Sequence, residues 1–366
     1  MNFLIYKENW VETRERFTAW WKGTNSGRPL MKIIAKREEP VEELEPVKDL
    51  KTPEEGHMGV DFTVSCLRNF CRTHKLMAEA FPHVSLNIGP LANAAYLGCE
   101  PVFAWETVWY RECVEDWNNF EFRFDENNYW FKRHVDIISR AKEIAGEDFL
   151  VCLPDTAENV DVLSVLRGPQ ALCYDLVDEP DLVKDLLKKV DDFYLKYYDV
   201  FYNIVKAKDG SCSYTAFDIW GPGKTAKLQC DFSAMMSPAQ FREFVVPSLE
   251  KQCRHIDFTM YHLDGPDAIR HVDALMEISE LKALQWTAGA GQPDGGSKKW
   301  YPIYEKVRAA NKSLWIYIYD GEYEDWLKSA DKLVKSFGSK GLYLLFPTMT
   351  EEQALRLIAR AEERWG

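Results

Sequence analysis

Residues 261–265, Tyr-His-Leu-Asp-Gly, have the types and spacing best suited to chemistry. They close an apolar run that begins near Asp257 and is predicted to be a strand. Because side chains alternate along an extended chain, His262 and Asp264 should project to the same side. Such a pair can bind a metal ion, exchange a proton or hold a substrate hydroxyl. The sequence alone leaves these three roles open.

Further polar and aromatic side chains follow other predicted strands or occupy the long loop predicted over residues 219–236. For any single aspartate, a helix cap or a turn is the alternative interpretation. If the strand ends converge, the candidate catalytic residues are His262, Asp264, Asp218 and Asp231. The candidate substrate-binding residues are Trp220, Tyr261, Trp286, Asp155 and Gln229. Among the seven histidines, only His262 has a placement that indicates function.

Predicted strands alternate with predicted helices along most of the chain. At least seven such units, without a dinucleotide-binding fingerprint, favour a single (β/α)₈ barrel over an open sheet. In that fold the chemistry lies at the carboxyl ends of the strands. Residues 1–366 are then one domain, with residues 1–80 as an N-terminal extension packed on the barrel. We expect helices over residues 62–80 and 129–145 and a hairpin within residues 106–124.

Composition narrows the classes of partner. The net charge of −13 argues against nucleic acid, whose phosphates require clustered cations. No apolar run approaches the ~20 residues that cross a bilayer, so we expect no membrane partner. Nine cysteines without a Cys-x-x-Cys pair indicate reduced thiols in a cytoplasmic protein. Thirteen Trp and seventeen Tyr suggest an aromatic-walled pocket for a small molecule.

Five segments together resemble the uroporphyrinogen decarboxylase superfamily, which includes corrinoid-dependent methyltransferases, over nearly the whole chain. They are Arg28-Pro29, residues 89–98, residues 166–180 with their Leu-Arg-Gly-Pro start, residues 237–247 ending in Phe-Val-Val-Pro, and residues 261–286. The resemblance implies a (β/α)₈ barrel with its site at the mouth. Uroporphyrinogen decarboxylases carry an Arg-Gln-Ala-Gly-Arg segment near the N-terminus, and residues 31–38 contain nothing similar. The methyltransferase branch is therefore the better match.

That branch binds zinc through a His-x-Cys pair and a distant cysteine on the last strand. His262 matches the histidine, but Asp264 occupies the cysteine position, and residues 345–347 are Leu-Phe-Pro. The resemblance thus implies a site without the usual thiolates. Zinc as a cofactor remains open, with His262, Asp264 and Cys230 as the expected ligands and Asp231 as an alternative to Cys230, because zinc also accepts carboxylate oxygen.

The leading functional hypothesis is a methyltransferase that moves a methyl group between a small substrate, O-methylated or aromatic, and a corrinoid protein. The chain has no obvious cobalamin-binding segment, so the corrinoid is expected on a separate protein. One alternative is a decarboxylase or lyase of the uroporphyrinogen decarboxylase type that acts on a small acid other than uroporphyrinogen and uses Asp218 or Asp231. Another is a non-enzymatic binding barrel. The sequence leaves a homodimer open.

Overall fold

The structure is a computed structural model that describes residues 3–366. It is a mixed α/β protein. In the described residues the helices are α1 (Trp10–Trp21), α2 (Pro53–Met58), α3 (Val60–Thr73), α4 (Ala92–Tyr96), α5 (Tyr129–Ala145), α6 (Asn159–Arg167), α7 (Pro169–Asp178), α8 (Pro180–Val205), α9 (Pro238–Gln240), α10 (Val246–His255), α11 (Val272–Glu277), α12 (Tyr301–Ala309), α13 (Tyr323–Phe337) and α14 (Glu351–Arg364). None of these helices combines the length and apolar composition needed to cross a bilayer, as far as residues 3–366 are concerned.

The strands of the same residues are short. They are β1 (Leu30–Lys36), β2 (His74–Ala78), β3 (His83–Val84), β4 (Glu100–Phe103), β5 (Val108–Arg111), β6 (Leu150–Val151), β7 (Cys212–Tyr214), β8 (Ile219–Gly221), β9 (Thr225–Leu228), β10 (Phe258–Asp264), β11 (Ala283–Thr287), β12 (Ser313–Tyr317), β13 (Leu342–Leu345) and β14 (Met349–Thr350). Single 3₁₀ turns and one π-helical turn, Phe241–Val245, complete the regular structure.

Seven strands run parallel in one sheet, in the order β14, β1, β13, β12, β11, β10, β9. Helices α11, α12 and α13 each connect two neighbouring parallel strands, as a parallel arrangement requires. Outside this sheet, β3 pairs in parallel with β6, and an isolated parallel bridge joins Leu153 to Tyr214 at the end of β7. The predicted alternation of strands and helices is confirmed as an α/β fold with a large parallel sheet.

The two faces of this sheet differ in chemistry. In register, His262 lies beside Gln285, Gln285 beside Trp315, and Trp315 beside Tyr343. The intervening residues are apolar and buried, for example Leu284 between Ala283 and Gln285. Because side chains alternate, His262 and its neighbours share one face, here named the polar face. The polar face carries Lys32, Lys227, His262, Asp264, Gln285, Thr287, Trp315, Tyr317 and Tyr343.

Three predicted elements differ from the structure. The helix expected over residues 62–80 ends at Thr73, because residues 74–78 form β2 and pair antiparallel with β1. Residues 30–36 and 74–78 thus lie in the main sheet rather than in a separate extension. The loop expected over residues 219–236 contains β8 and β9, which have only three and four residues and are too short for their alternation to identify a strand clearly. The hairpin pairs β4 with β5 and starts at Glu100.

Helix α5 has the bounds predicted from the sequence, Tyr129–Ala145. The Asn128 side chain accepts a hydrogen bond from the Phe131 amide and caps the first turn. Gly146, with φ of 51°, ends the last turn in a conformation that suits glycine. Local signals therefore determine this helix at both ends.

The buried His134 of α5 should make the protein less stable in acid. Its Nδ1 accepts a hydrogen bond from the Tyr96 hydroxyl at 2.5 Å, and its Nε2 donates to the Leu86 carbonyl at 3.2 Å. Burial lowers its pKa to about 4. Between pH 6.5 and 4 the unfolded chain binds a proton at this residue that the folded protein does not. This difference should remove about 3 kcal/mol of stability over that interval.

Urea denaturation at pH 7 and pH 4 measures the effect. In His134→Gln the loss of stability between pH 7 and pH 4 should be smaller by about 3 kcal/mol. The part of the loss that comes from other titrating groups should be unchanged. An equal loss in wild type and variant would contradict a buried neutral imidazole.

Candidate functional site

Asp231, His262 and Asp264 meet at the polar face. One ligand atom from each lies within 4.8 Å of the other two, a spacing at which a single metal ion could contact all three. β10 holds His262 and Asp264 two residues apart, and Asp231 follows β9, which pairs in parallel with β10. The predicted orientation of the histidine and the carboxylate to one side is thus present in the structure.

A side-chain amide orients His262. Gln285 donates from Nε2 to the Thr287 hydroxyl at 2.9 Å, which turns its Oε1 towards His262 Nδ1. Nδ1 therefore carries the hydrogen, and Nε2 is the nitrogen free to bind a metal or accept a proton. Burial, and next the positive charge of Lys227, lower the pKa of His262. Both keep the imidazole neutral, the form that binds metals.

Asp231 is held from behind while its side chain reaches solvent. Its Oδ2 accepts from Gln229 Nε2 at 3.2 Å, and its backbone amide donates to Asp161 Oδ2 at 2.9 Å. Desolvation of the inner part of the carboxyl group and the charge of Asp161 raise the pKa of Asp231 to about 7. Asp264 is exposed. The group therefore has two ligands open to solvent and a third, His262, set deeper.

A buried network of hydrogen bonds and ion pairs supports the group formed by Asp231, His262 and Asp264. Lys227 is 1% exposed, and its Nζ lies 2.8 Å from Asp155 Oδ1 and donates to Gln229 Oε1. Asp155 also accepts from the Tyr214 hydroxyl at 3.1 Å. A buried charge persists only when it is paired and hydrogen-bonded, and Lys227 meets both conditions.

Two buried acids complete this network. Glu158 accepts from the Gln229 amide at 2.7 Å, and its other oxygen, Oε2, has no hydrogen-bond partner among the described residues. Burial raises the pKa of Glu158 well above its usual range, which favours the neutral form of this carboxyl group. Asp161 accepts from the amides of Asp231 and Phe232, both at 2.9 Å. Asp161 thereby fixes the backbone on which Asp231 stands.

A second cluster joins Lys32, His83 and Asp218. Asp218 Oδ2 lies 2.7 Å from Lys32 Nζ, and its Oδ1 lies 3.3 Å from His83 Nε2. Burial alone would raise the pKa of Asp218, but the charge of Lys32 and the contact with His83 outweigh it and lower that pKa. Asp218 was predicted as a site residue, whereas His83 gave no signal in the sequence.

The backbone beside this cluster is strained. Phe217 and Asp218 have φ of 66° and 51°, a region that residues other than glycine rarely adopt. Trp315 donates from Nε1 to the Phe217 carbonyl at 2.7 Å, and the Tyr343 hydroxyl donates to the Asp218 carbonyl at 3.2 Å. The turn places the Phe217 ring 4.9 Å from the His262 ring. Strain of this kind concentrates at functional sites, which supports the assignment of the polar face.

The aromatic residues predicted to bind substrate lie elsewhere. Tyr261 and Trp286 alternate with His262 and Gln285 and are buried on the opposite face. Trp220 packs edge-on against Trp10 at 5.8 Å in the core. Period-two alternation already implied this for Tyr261, since its neighbour His262 faces the site.

Cys230 is not a member of the group formed by Asp231, His262 and Asp264. It is buried, and burial raises the pKa of its thiol well above the usual range. The group that the structure assembles contains Asp231 in its place.

The aromatic side chains that do lie on the polar face come mainly from β12 and the residues after it. Phe217 contacts Trp315 at 5.3 Å between ring centres, Trp315 contacts Tyr317 at 6.3 Å, and Tyr317 contacts Tyr319 at 5.0 Å. Tyr317 and Tyr319 are 37% and 43% exposed. Tyr319 directly follows a predicted strand and is visible in the sequence for that reason, and its spacing of two residues from Tyr317 was the signal that could have identified Tyr317. Sequence reasoning also missed Lys32, His83, Glu158, Asp161, Lys227 and Gln285.

Comparison with known proteins finds a similarity of fold but no similarity of sequence to a protein family. No protein-family model and no curated protein sequence matches this chain. The structure is similar to that of a methyltransferase from Methanosarcina mazei, with a TM-score of 0.61 and 13% sequence identity. The similarity covers 96% of this chain and 98% of the other. The two proteins therefore share an α/β fold over nearly their whole length.

Proposed function

We propose that this chain is a methyltransferase that moves a methyl group between a small O-methylated or aromatic substrate and a separate corrinoid protein. We further propose that its sheet closes into a (β/α)₈ barrel of the uroporphyrinogen decarboxylase type, with the polar face as the interior. The shared fold with a methyltransferase supports this proposal. The observation that carries it is the convergence of Asp231, His262 and Asp264 on that face.

The three residues fit a divalent metal such as zinc. One imidazole nitrogen and two carboxylate oxygens are donors that zinc accepts. His262 presents Nε2 because Gln285 occupies Nδ1, an outer-shell arrangement common for metal-binding histidines. When bound, zinc would supply Lewis-acid stabilisation to the oxygen that the methyl group leaves.

The other residues of the polar face position the substrate. Tyr317 and Tyr319 offer half-exposed rings against which an aromatic or apolar substrate can pack. Lys227, Asp155 and Asp161 hold the reacting group rigid through buried hydrogen bonds. Groups that are already fixed in this way need no reorganisation when the reaction occurs.

Methyl transfer can be tested with free cobalamin as the acceptor. The protein is incubated with cobalamin reduced to the cobalt(I) state and a panel of aryl and alkyl methyl ethers, and the visible spectrum follows methylation. We expect protein-dependent methylation with at least one ether. Release of carbon dioxide from a panel of small carboxylic acids, without methyl transfer, would instead favour the decarboxylase alternative.

Gln285→Leu should weaken metal binding without removing a ligand. The variant leaves His262 without the acceptor that selects its tautomer, and losses of such outer partners cost about 10- to 100-fold in affinity. Zinc titration followed by calorimetry, with elemental analysis of protein purified without chelator, measures the change. Cys230→Ser is the matched control and should bind zinc as wild type does. Equal zinc affinity in His262→Ala and wild type would contradict the metal site.

A further inference from the structure

Cys99 and Cys113 stand at the open end of the β4–β5 hairpin with their sulfur atoms 3.1 Å apart. Cys99 immediately precedes β4 and is buried, whereas Cys113 follows β5 and is exposed. Glu100 pairs with Arg111 in the hairpin, so the two cysteines extend the same ladder by one and two residues. A disulfide bond is about 2.05 Å long, so the sulfurs need to approach by about 1 Å.

We propose that Cys99 and Cys113 form a site of reversible thiol modification: Cys113 reacts with a low-molecular-weight disulfide, and Cys99 then completes an intramolecular disulfide. The site lies outside the Asp231, His262 and Asp264 group. The proposal is therefore independent of the proposed methyl transfer.

The two thiols are unequal in the way that such a reaction requires. The contact between the two sulfurs lowers the pKa of Cys113, whereas it raises the pKa of the buried Cys99. Cys113 is also the one that solvent reaches. An exposed thiol of lowered pKa attacks disulfides, while a buried thiol beside it reacts only with a partner already in place.

The exchange balances without any further oxidant. The Cys113 thiolate attacks one sulfur of the small disulfide, forms a mixed disulfide and releases one thiolate. The Cys99 thiol loses its proton to water and attacks the Cys113 sulfur, and the second small thiolate leaves. The two cysteines lose two electrons in total, and the small disulfide gains them as two thiols.

The backbone around Cys113 is already fixed. The amides of Cys113 and Val114 both donate to the Leu166 carbonyl of α6, at 3.0 and 2.9 Å. The opposite strand is held by the β4–β5 register. Closing the bond therefore needs a side-chain rotation at Cys113 rather than a rearrangement of the hairpin, and the oxidised and reduced proteins should share one fold.

The test equilibrates the full chain in glutathione buffers of increasing oxidised fraction. The samples are quenched in acid, alkylated with N-ethylmaleimide and examined by peptide mass spectrometry. We expect a peptide pair linked through Cys99 and Cys113 to accumulate and to disappear with dithiothreitol. In unoxidised protein, Cys113 should be alkylated about tenfold faster than Cys173, a half-buried cysteine whose Cys173→Ser variant should link as wild type does.

The single variants separate the two roles. Cys99→Ser should trap Cys113 as a mixed disulfide with glutathione, whereas Cys113→Ser should leave Cys99 as a free thiol. Circular dichroism checks that both variants are folded. The comparison of the Cys113 and Cys173 alkylation rates is made in wild-type protein and does not depend on the folding of any variant. Free thiols at both positions in the most oxidising buffer, or a link between two molecules, would overturn the proposal.

Discussion

Lys227→Met is expected to destabilise the folded protein by about 3–5 kcal/mol and to abolish activity. Lys227 is the buried cation beside Asp155, Glu158 and Asp161, and it is 1% exposed. Removing one partner of a buried ion pair leaves the other charge without compensation, which costs this much in general. The Asp155 carboxylate would lose its cation, and the Gln229 side chain that contacts Asp231 would lose the hydrogen bond from Lys227. Urea denaturation at pH 7 measures the change.

Lys224→Met is the matched control. Lys224 lies three residues earlier and pairs with Asp199 at 2.7 Å, but both side chains are partly exposed. Its loss should cost about 1 kcal/mol or less. Lys227→Met combined with Asp155→Asn should recover part of the stability, since the unpaired carboxylate is then removed. Similar costs for the two lysine variants would show that the Lys227 charge does not hold the network together.

His262→Ala should abolish methyl transfer while the protein stays folded. The change removes the central ligand of the group and the only nitrogen in it, and loss of a positioned acid–base or ligand side chain lowers rates by about 10²- to 10⁴-fold. His262 is partly exposed at the solvent side of the network. Its truncation therefore opens no large cavity. The rate with cobalamin as acceptor, and zinc content by elemental analysis, both measure the effect.

His255→Ala serves as the control for this experiment. His255 lies at the end of α10, where its Nε2 contacts Asp199 at 2.9 Å, and it is not part of the polar face. It should keep wild-type rates and zinc content. If His262→Ala retained full transfer activity, the reaction centre would have to lie elsewhere on the polar face, with the Lys32, His83 and Asp218 cluster as the next place to examine.

Local patterns were reliable where a residue's own neighbours determine its structure. Alternation placed His262 and Asp264 on one side of β10, and a capping asparagine and a terminal glycine gave both ends of α5. The repeated strand–helix units predicted the α/β fold class, because parallel strands require helical crossovers. The same alternation, applied to Tyr261, would have removed it from the substrate-binding candidates.

Sequence patterns did not predict the structure where contacts with a distant segment determine it. Residues 74–78 form a strand because β1 offers them a pairing partner about 40 residues earlier in the chain. β9 went unrecognised because it has only four residues, and Lys227 was missed with it. The left-handed turn at Phe217 and Asp218 has no glycine to announce it. Contacts with Trp315 and Tyr343, far away in the chain, hold that turn in place.

The sequence by itself determined which side chains could do chemistry on β10 and that parallel strands would bring other strand ends near them. Only the tertiary structure decided the third member of the group, Asp231 rather than Cys230, and the buried lysine behind it. The physical reason is separation along the chain. Asp161 fixes the Asp231 backbone across 70 residues, and Lys32 pairs with Asp218 across 186. Such pairs form because folding excludes water from them, and no local pattern records which buried charges will meet.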